Sequence, residues 1–227
     1  MSTLDNSAIS KVLGKTVDYP DQYDPSILVR EPRQSNRDLI EITNESLPFV
    51  GYDTWNAYEV STLTENGLPV TGTVKIIYPC NSEYIVESKS LKLYLNSFNM
   101  FQCPGWGHKF VVEYLTGKIM RDLKELLETE VKVTFNDNHG LNTESIFNLS
   151  DYITLENWLM LDDVQFDQYT ESPELLEISD CYIPTDCCGS FGINQRYHSS
   201  LLKSNCRVTS QPDWGDVYIQ LKSHHEV

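Results

Sequence analysis

The first strong hydrophobic pattern of the chain predicts an antiparallel pair of strands over residues 52–63 and 70–78. Both segments mix aromatic with β-branched side chains, as half-buried strands do. Asn66 and Gly67 lie between them, and an Asn-Gly dipeptide between two apolar runs is typical of a tight hairpin. We therefore expect the first sheet of the protein to contain this hairpin.

The pattern then changes to the period of a helix. Apolar residues recur at i, i+3, i+4 and i+7, the spacing of one helix face: Leu91, Tyr94, Leu95 and Phe98. Glu87 and Ser88 stand at its start, where side-chain acceptors and negative charge suit the exposed backbone N–H groups. The later patterns predict a second helix over 110–130, a strand over 131–135 and a further strand near 145–160.

A second β-rich pattern, near residues 199–221, opens like the first one with a strand, a turn and a strand. We interpret it as a weak internal repeat whose second copy is incomplete. A polar stretch precedes the first pattern, and an acidic stretch separates the two. The predicted parts are an N-terminal arm at 1–45, a first module at 46–165, an acidic linker at 166–198 and the start of a second module at 199–227.

Composition and charge narrow the function. The 227 residues are 40% hydrophobic and 11% aromatic, which fits a globular protein with a sizeable core. The formal net charge is -16 and no run of Lys and Arg offsets it, so direct binding to nucleic acid is not expected. The sequence has no secretory signal and no apolar stretch of ~18 residues, so we expect a cytoplasmic protein without a membrane segment.

The six cysteines are expected to be reduced thiols. Their number is even, but without a secretory signal a disulfide framework has no context. Cys187 and Cys188 lack a C-x-x-C partner at zinc spacing, so no metal site is expected. The glycine motifs of Rossmann folds and P-loops are missing as well, which disfavours both of those nucleotide-binding folds.

Cys206 and Asp213 form a candidate reactive pair in the segment LLKSNCRVTSQPDWG. Lys203 and Arg207 lie close to the cysteine in sequence and would favour the thiolate, which is the reactive form. The aspartate lies beyond a turn predicted from QPDWG, and could return toward the thiol as a proton donor. The simpler interpretations are a buried structural cysteine and an aspartate that caps a turn. The local pattern leaves both open.

Glu87, Ser88 and Lys89 also allow two interpretations. One is an ordinary helix start with a solvated lysine. The other is a helix N-terminus whose N–H groups, serine hydroxyl and lysine bind a phosphate-bearing cofactor. The pattern by itself does not decide between them.

Longer segments resemble a known family. VESKSLKLYLNSFN (86–99) and LLKSNCRVTSQPDWG (201–215) resemble the two signature segments of the bimodular 7-cyano-7-deazaguanine reductases. These are the NADPH-dependent nitrile reductases of queuosine biosynthesis, a tRNA modification pathway. The segments LGKTVDYPDQYDPSILVREPR (13–33) and LPFVGYDTWNAYEVSTL (47–63) are similar to the N-terminal region of that family.

The resemblance implies an α+β architecture called the tunnelling fold. Each module has antiparallel strand pairs and two helices, and modules associate through their sheets into barrels. In the family, two helices and two strands follow the second signature segment, whereas this chain ends at Val227. The second module is therefore expected to be incomplete and C-terminally truncated, and a homo-oligomer or a complementing chain is expected to complete it.

The resemblance also assigns roles to residues. Cys206 would add to the nitrile carbon and form a thioimidate, and Asp213 would donate the proton. Val86, Glu87 and Ser88 match residues that contact the deazapurine substrate, and Ser88 and Lys89 match residues that contact NADPH. Two hydride transfers would then yield 7-aminomethyl-7-deazaguanine.

Two other hypotheses stay open at this point. The chain could be a non-catalytic, truncated relic or half-enzyme that binds a deazapurine or a complementing chain. It could also run a different reaction at the same thioimidate, such as nitrogen transfer. The ESKS segment (87–90) argues against nitrogen transfer, because it matches the stretch that contacts NADPH.

Overall fold

The computed structural model describes residues 22–105, 107–137, 151–159, 168, 170, 172–176, 194–205 and 212–222. The chain divides into two compact units, Met1–Glu144 and Ser145–Val227. Both units contain helices and antiparallel strands, so the chain is of the predicted α+β class. Among the described residues, no helix is both long and apolar enough to cross a membrane.

The first unit is built around an antiparallel sheet with the strand order β2-β3-β5. Its strands and α-helices are, in chain order, β1 (Arg30–Pro32), α1 (Gln34–Arg37), β2 (Tyr52–Leu63), β3 (Pro69–Pro79), β4 (Tyr84–Val86), α2 (Ser88–Asn96), α3 (His108–Leu127) and β5 (Lys132–Asp137). The predicted hairpin is confirmed as β2 and β3. Gly67 in its turn has a φ of 84°, a conformation that favours glycine.

The two longer helices of this unit pack with the sheet in one hydrophobic core. α3 has apolar side chains at every fourth position, and all of them are fully buried: Val111, Leu115, Ile119, Leu123 and Leu127. On β3 the alternate residues Val74, Ile76 and Tyr78 are buried, as expected for a strand with one covered face. The predicted apolar face of α2 is buried in the same core. Both helices are therefore confirmed, with ends that shift by a few residues.

The N-terminal arm packs onto the first unit through residues 22–45, although its sequence shows no sustained period. β1 pairs with β4 in an antiparallel ladder in which Arg30 faces Val86. Leu28 enters the hydrophobic core, and the buried Arg37 donates hydrogen bonds to the Asn44 side chain and to a backbone carbonyl. The arm is held largely by backbone and charged groups, which a hydrophobic pattern does not register.

The second unit contains a sheet with the strand order β6-β7-β8. Among the described residues of this unit, the strands and the α-helix are β6 (Ile153–Thr154), α4 (Leu155–Leu159), β7 (Asn194–Asn205) and β8 (Pro212–Lys222). β7 and β8 are antiparallel and agree with the strand pair predicted near 199–221. Of the strand predicted near 145–160, the structure describes residues 151–159, where β6 spans two residues and pairs in parallel with β7. It is short because the apolar spacing of LENWL favours the helical turn that follows.

The two long hairpins share one geometry. β2 and β7 have 12 residues each, and β3 and β8 have 11. The pairing register shifts between Ala57 and Val60 in β2, and between Ser199 and Leu202 in β7. Each shift places two residues of the longer strand opposite one residue of its partner, so the longer strand has one extra residue, which is a β-bulge. The internal repeat expected from the sequence is thus present in the two strand pairs.

Candidate functional site

Four of the predicted site residues lie together where β4 meets α2. Val86 is the last residue of β4, and its side chain is only 2% exposed. Glu87 is the N-cap of α2, and the exposed Ser88 is its first residue. The half-buried Lys89 follows. The stretch therefore presents polar groups at the start of a helix, whereas the valine side chain belongs to the core.

Glu87 caps the helix with both oxygens of its carboxylate. Oε1 accepts the backbone N–H of Lys89 at 3.2 Å, and Oε2 accepts that of Ser90 at 2.6 Å. The Glu87 carboxylate thus occupies the anion position at this helix end, and phosphate binding by the same N–H groups stays a prediction. The Ser88 hydroxyl is exposed beside this cap, and each Glu87 oxygen has a further lone pair that can accept a hydrogen bond.

Val86 and Tyr78 belong to the same hydrophobic core. The Tyr78 hydroxyl accepts the indole N–H of Trp55 at 2.8 Å. Burial, followed by the charge of Asp53, raises the pKa of Tyr78 to about 12, so the phenol stays neutral. Any contact of Val86 with a ligand would therefore be made by its main chain.

The arm brings a second carboxylate close to Glu87. Glu31 of β1 stands opposite Ile85 of β4, and the Glu87 backbone N–H donates to the carbonyl of Val29 at 2.9 Å. Burial, followed by the charge of Glu87, raises the pKa of Glu31 above its ordinary value. Glu31 was missed because the sequence predicted no structure for the arm. The only available signal was the Pro32 that follows it, since a residue before proline favours an extended backbone.

Asp213 lies in β8 of the second unit, and its place differs from the sequence prediction. The sequence predicted a turn at QPDWG, but β8 begins at Pro212 and continues through Gly215. A proline is tolerated at the first position of a strand, where a missing N–H matters least. The exposed Asp213 stands directly opposite Ser204 of β7. Its interpretation as a turn cap is therefore wrong.

Cys206 and Arg207 lie outside the described residues, so the proposed thiol is placed by sequence alone. Lys203, which we expected to favour the thiolate, has its ammonium 5.7 Å from the centre of the Trp214 ring. The structure therefore groups the Val86–Lys89 stretch in the first unit and places Asp213 in the second.

A serine, a histidine and an aspartate also meet in the second unit. The Ser200 hydroxyl lies 3.3 Å from His198 Nε2, and Asp216 Oδ1 lies 3.7 Å from the same nitrogen. In a catalytic triad the serine and the carboxylate contact opposite nitrogens of the ring. Here both approach Nε2, so the histidine cannot pass a proton between them. The imidazole instead stacks on Tyr218, with 4.4 Å between ring centres.

Comparison with known proteins agrees with the resemblance found in the sequence. A family model described as nitrile reductase, 7-cyano-7-deazaguanine-reductase N-term, matches residues 19–135. An NADPH-dependent 7-cyano-7-deazaguanine reductase of Chromobacterium violaceum is 38% identical over 208 residues, which cover 92% of this chain and 67% of the relative. The enzyme of the same name from Rickettsia typhi is 39% identical over 213 residues, covering 94% of this chain and 70% of the relative.

The matched region includes β2, β3 and both long helices of the first unit, and it ends within β5 at Phe135. The chain therefore belongs to the nitrile reductase family, the NADPH-dependent 7-cyano-7-deazaguanine reductases.

Proposed function

We propose that the chain reduces the nitrile of 7-cyano-7-deazaguanine to the primary amine of 7-aminomethyl-7-deazaguanine, in the queuosine pathway. The observation that carries the proposal is the Glu87–Lys89 stretch, which is fixed at a helix start inside the region matched by the family model. The net charge of -16 would repel the phosphate backbone of a nucleic acid. The substrate is a free base without phosphate, so this repulsion does not oppose its binding.

Cys206 is the proposed nucleophile. Its thiolate sulfur bonds to the nitrile carbon, one π bond of the C≡N group breaks, and the nitrogen takes up a proton. The product is a thioimidate. A free nitrile is a poor hydride acceptor, whereas a protonated thioimidate carries positive charge next to the carbon that must be reduced. Covalent catalysis thus replaces one difficult step with easier ones.

Asp213 is the proposed proton donor to the nitrogen. Asp213 is exposed on β8. A proton donor has to be accessible in this way to reach a bound substrate. As the nitrile is attacked, negative charge develops on the nitrogen, and a positioned acid neutralises it in the transition state. The carboxylate left behind is reprotonated from solvent before the next cycle.

NADPH, when bound, supplies hydride, and complete reduction of one nitrile requires two hydrides and two protons. The residues present fit its phosphate groups in part, because Ser88 offers an exposed hydroxyl and Lys89 a cation at the helix start. After the thioimidate carbon is first reduced, its bond to Cys206 breaks and the free thiolate and an imine result. The second reduction converts the imine to the amine.

We further propose that the chain adopts the tunnelling fold and works as a homo-oligomer. The first unit, with a β-hairpin followed by two helices and a third strand, supports the fold assignment. Within the described residues β8 pairs only with β7, so its other edge is open. Leu202, Ile219 and Leu221 are about half exposed on the same hairpin. An open edge and exposed apolar side chains favour association with another sheet.

Intact-mass spectrometry tests the proposed function. The chain is incubated with 7-cyano-7-deazaguanine without NADPH, and we expect a mass increase of one substrate molecule. Cys206→Ala should give no adduct, whereas Cys80→Ala, which removes a half-buried thiol of the first unit, should give a normal one. With NADPH, two molecules should be oxidised per nitrile. An adduct that persists in Cys206→Ala would refute the assignment of the nucleophile.

A further inference from the structure

Two buried serines bind the backbone of the N-terminal arm, Ser90 within α2 and Ser97 at its C-terminal cap. The Ser90 hydroxyl accepts the N–H of Val29 at 3.0 Å, and the Ser97 hydroxyl accepts that of Asp24 at 3.4 Å. The serines are seven residues apart on one helix face and are 0% and 1% exposed. The arm therefore runs antiparallel to the helix, with one serine tether near each helix end.

The tether at Ser90 differs from the other one because it also holds Glu87. The Ser90 hydroxyl donates to the Glu87 carbonyl at 2.8 Å, and the Ser90 backbone N–H donates to the Glu87 carboxylate at 2.6 Å. The Ser97 hydroxyl donates to the carbonyl of Tyr94 at 2.6 Å, within its own helix. Ser90 thus fixes the main chain and the side chain of Glu87 and ties both to the arm.

We propose that Ser90 is a positioning residue for ligand binding at Glu87, Ser88 and Lys89. Its hydroxyl links the arm at Val29 to the Glu87 carbonyl and so fixes the main chain from which the Glu87 side chain extends, although it does not itself touch the substrate or NADPH. The arm segment around Val29 is then a structural part of the binding site. This inference rests on the proposed function, since it assumes that this stretch contacts the ligands.

The Ser90 hydroxyl makes two hydrogen bonds that an alanine side chain cannot make. The hydroxyl accepts one hydrogen bond and donates another, which is its normal capacity. In Ser90→Ala, the Val29 N–H and the Glu87 carbonyl both lose a partner in a part-buried setting. Glu87 keeps its two backbone N–H contacts, so the helix still has a cap. We therefore expect a displaced binding stretch on an otherwise folded helix.

The test compares Ser90→Ala with Ser97→Ala, which removes an equally buried hydroxyl and the other arm tether. Steady-state kinetics should show KM values for NADPH and the nitrile raised on the order of tenfold in Ser90→Ala, the scale expected from a misplaced binding group. Ser97→Ala should lose a similar amount of thermal stability with KM within about twofold of wild type, because its bonds do not reach Glu87. Equal KM values in the two variants would overturn the proposal.

Hydrogen–deuterium exchange on the unmodified chain keeps the proposal testable if Ser90→Ala does not fold. Binding of 7-cyano-7-deazaguanine with NADP⁺ should slow exchange at the Val29 amide together with those of Lys89 and Ser90, and should leave the Asp24 amide unchanged. Protection of Lys89 and Ser90 without Val29 would overturn the proposal. A different result would refute the proposed function itself: the wild-type chain would form no adduct with the nitrile.

Discussion

Gly72 and Gly215 hold the same position in two different hairpins. Each is paired with the first residue after a β-bulge, Gly72 with Val60 and Gly215 with Leu202. Their surroundings differ. A Cβ atom on Gly72 would lie 2.6 Å from a ring carbon of Phe135 and even closer to a backbone oxygen of β5. Among the described residues, a Cβ atom on Gly215 would meet only Leu202, at the ordinary distance of 3.8 Å.

Alanine at these two glycines should therefore have unequal effects on stability. We expect Gly72→Ala to lower the free energy of unfolding by about 1–3 kcal/mol, the usual cost of overpacking. Gly215→Ala should stay within about 0.5 kcal/mol of wild type, as substitutions without new contacts do. Urea denaturation of both variants measures the difference. Equal losses would mean that the bulge itself, and not the neighbouring strand β5, requires the glycine.

Replacing Asp213 by asparagine should impair catalysis far more than folding. Asp213 is exposed on β8, so the change costs little packing, whereas an amide cannot donate the proton that the nitrile nitrogen needs. We expect turnover to fall by ~100-fold or more, the usual contribution of a general acid. The thermal midpoint should stay near that of wild type. Unchanged turnover would show that another group, or water, supplies the proton.

Asp122 should be a stabilising residue of the first unit. One of its oxygens accepts the hydroxyl of Tyr23 at 2.5 Å and that of Tyr94 at 2.7 Å. Burial, followed by the bond to Asp122, raises the pKa of both phenols, so they remain donors. Asp122→Ala should lower the free energy of unfolding by about 2 kcal/mol, the range for bonds to a charged group.

The matched control for this prediction is Glu125→Ala, which removes an exposed carboxylate from the same helix. It should change the free energy of unfolding by less than about 0.5 kcal/mol, as surface substitutions usually do. Tyr23 belongs to the arm, so Asp122→Ala should also speed proteolytic cleavage within residues 22–33. Normal resistance of the arm to protease would show that Asp122 stabilises α3 alone.

Glu31 should make the protein less stable as the pH rises. Its pKa is raised from an ordinary value of 4.5, first by burial and then by the charge of Glu87. Between the unfolded and folded pKa values the folded state binds more protons, so stability falls as the pH rises through this window and stays lower above it. Glu31→Gln should therefore melt at a higher temperature than wild type at neutral pH.

The pH series supplies the control for that prediction. The advantage of Glu31→Gln should disappear below about pH 4, where the wild-type glutamic acid is protonated in both states. Glu45→Gln removes an exposed carboxylate from the same arm and should show no such dependence. A Glu31→Gln advantage that is constant with pH would point to packing and not to charge.

The exposed apolar side chains of the second unit should be covered by association. We expect light scattering after size exclusion to report a homo-oligomer at micromolar concentration. Ile219→Asp should shift it toward monomer, because a charge buried in an apolar interface is costly. Gln220→Asp places the same charge on the opposite face of β8 and should matter less. A wild-type monomer would refute the predicted association.

The hydrophobic pattern was sufficient to predict the main elements of the first unit. In the β2-β3 hairpin, α2, α3 and β5, apolar residues recur with the period of the element, and the structure buries these residues. The arm escaped the same method because Arg30, Arg33 and Arg37 hold it through the Tyr84 ring, Asp53 and a backbone carbonyl. Such contacts join residues far apart in sequence and have no local period.

The residues of the candidate site could be predicted from the sequence, but their hydrogen bonds could not. The sequence indicated that Glu87, Ser88 and Lys89 stand at a helix start, and the structure agrees. It could not indicate that the Glu87 carboxylate would occupy the N–H groups of its own helix, because a cap and a ligand site use the same residue types. Asp213 was misplaced for a related reason, since Pro and Gly can mark either a turn or a strand.

The pairing of β1 with β4 has a consequence for how the protein acquires its activity during folding. The β2-β3 hairpin and the two long helices form from contacts that are close in sequence. The arm joins β4 across the whole β2-β3 hairpin, and contacts of such long range are slow to form. Refolding should therefore pass through a phase in which the core has formed but NADPH is not yet bound. The proposed binding stretch Glu87–Lys89 would reach its final structure last. It would do so when the N-terminal arm docks onto a core whose residues were synthesised after it.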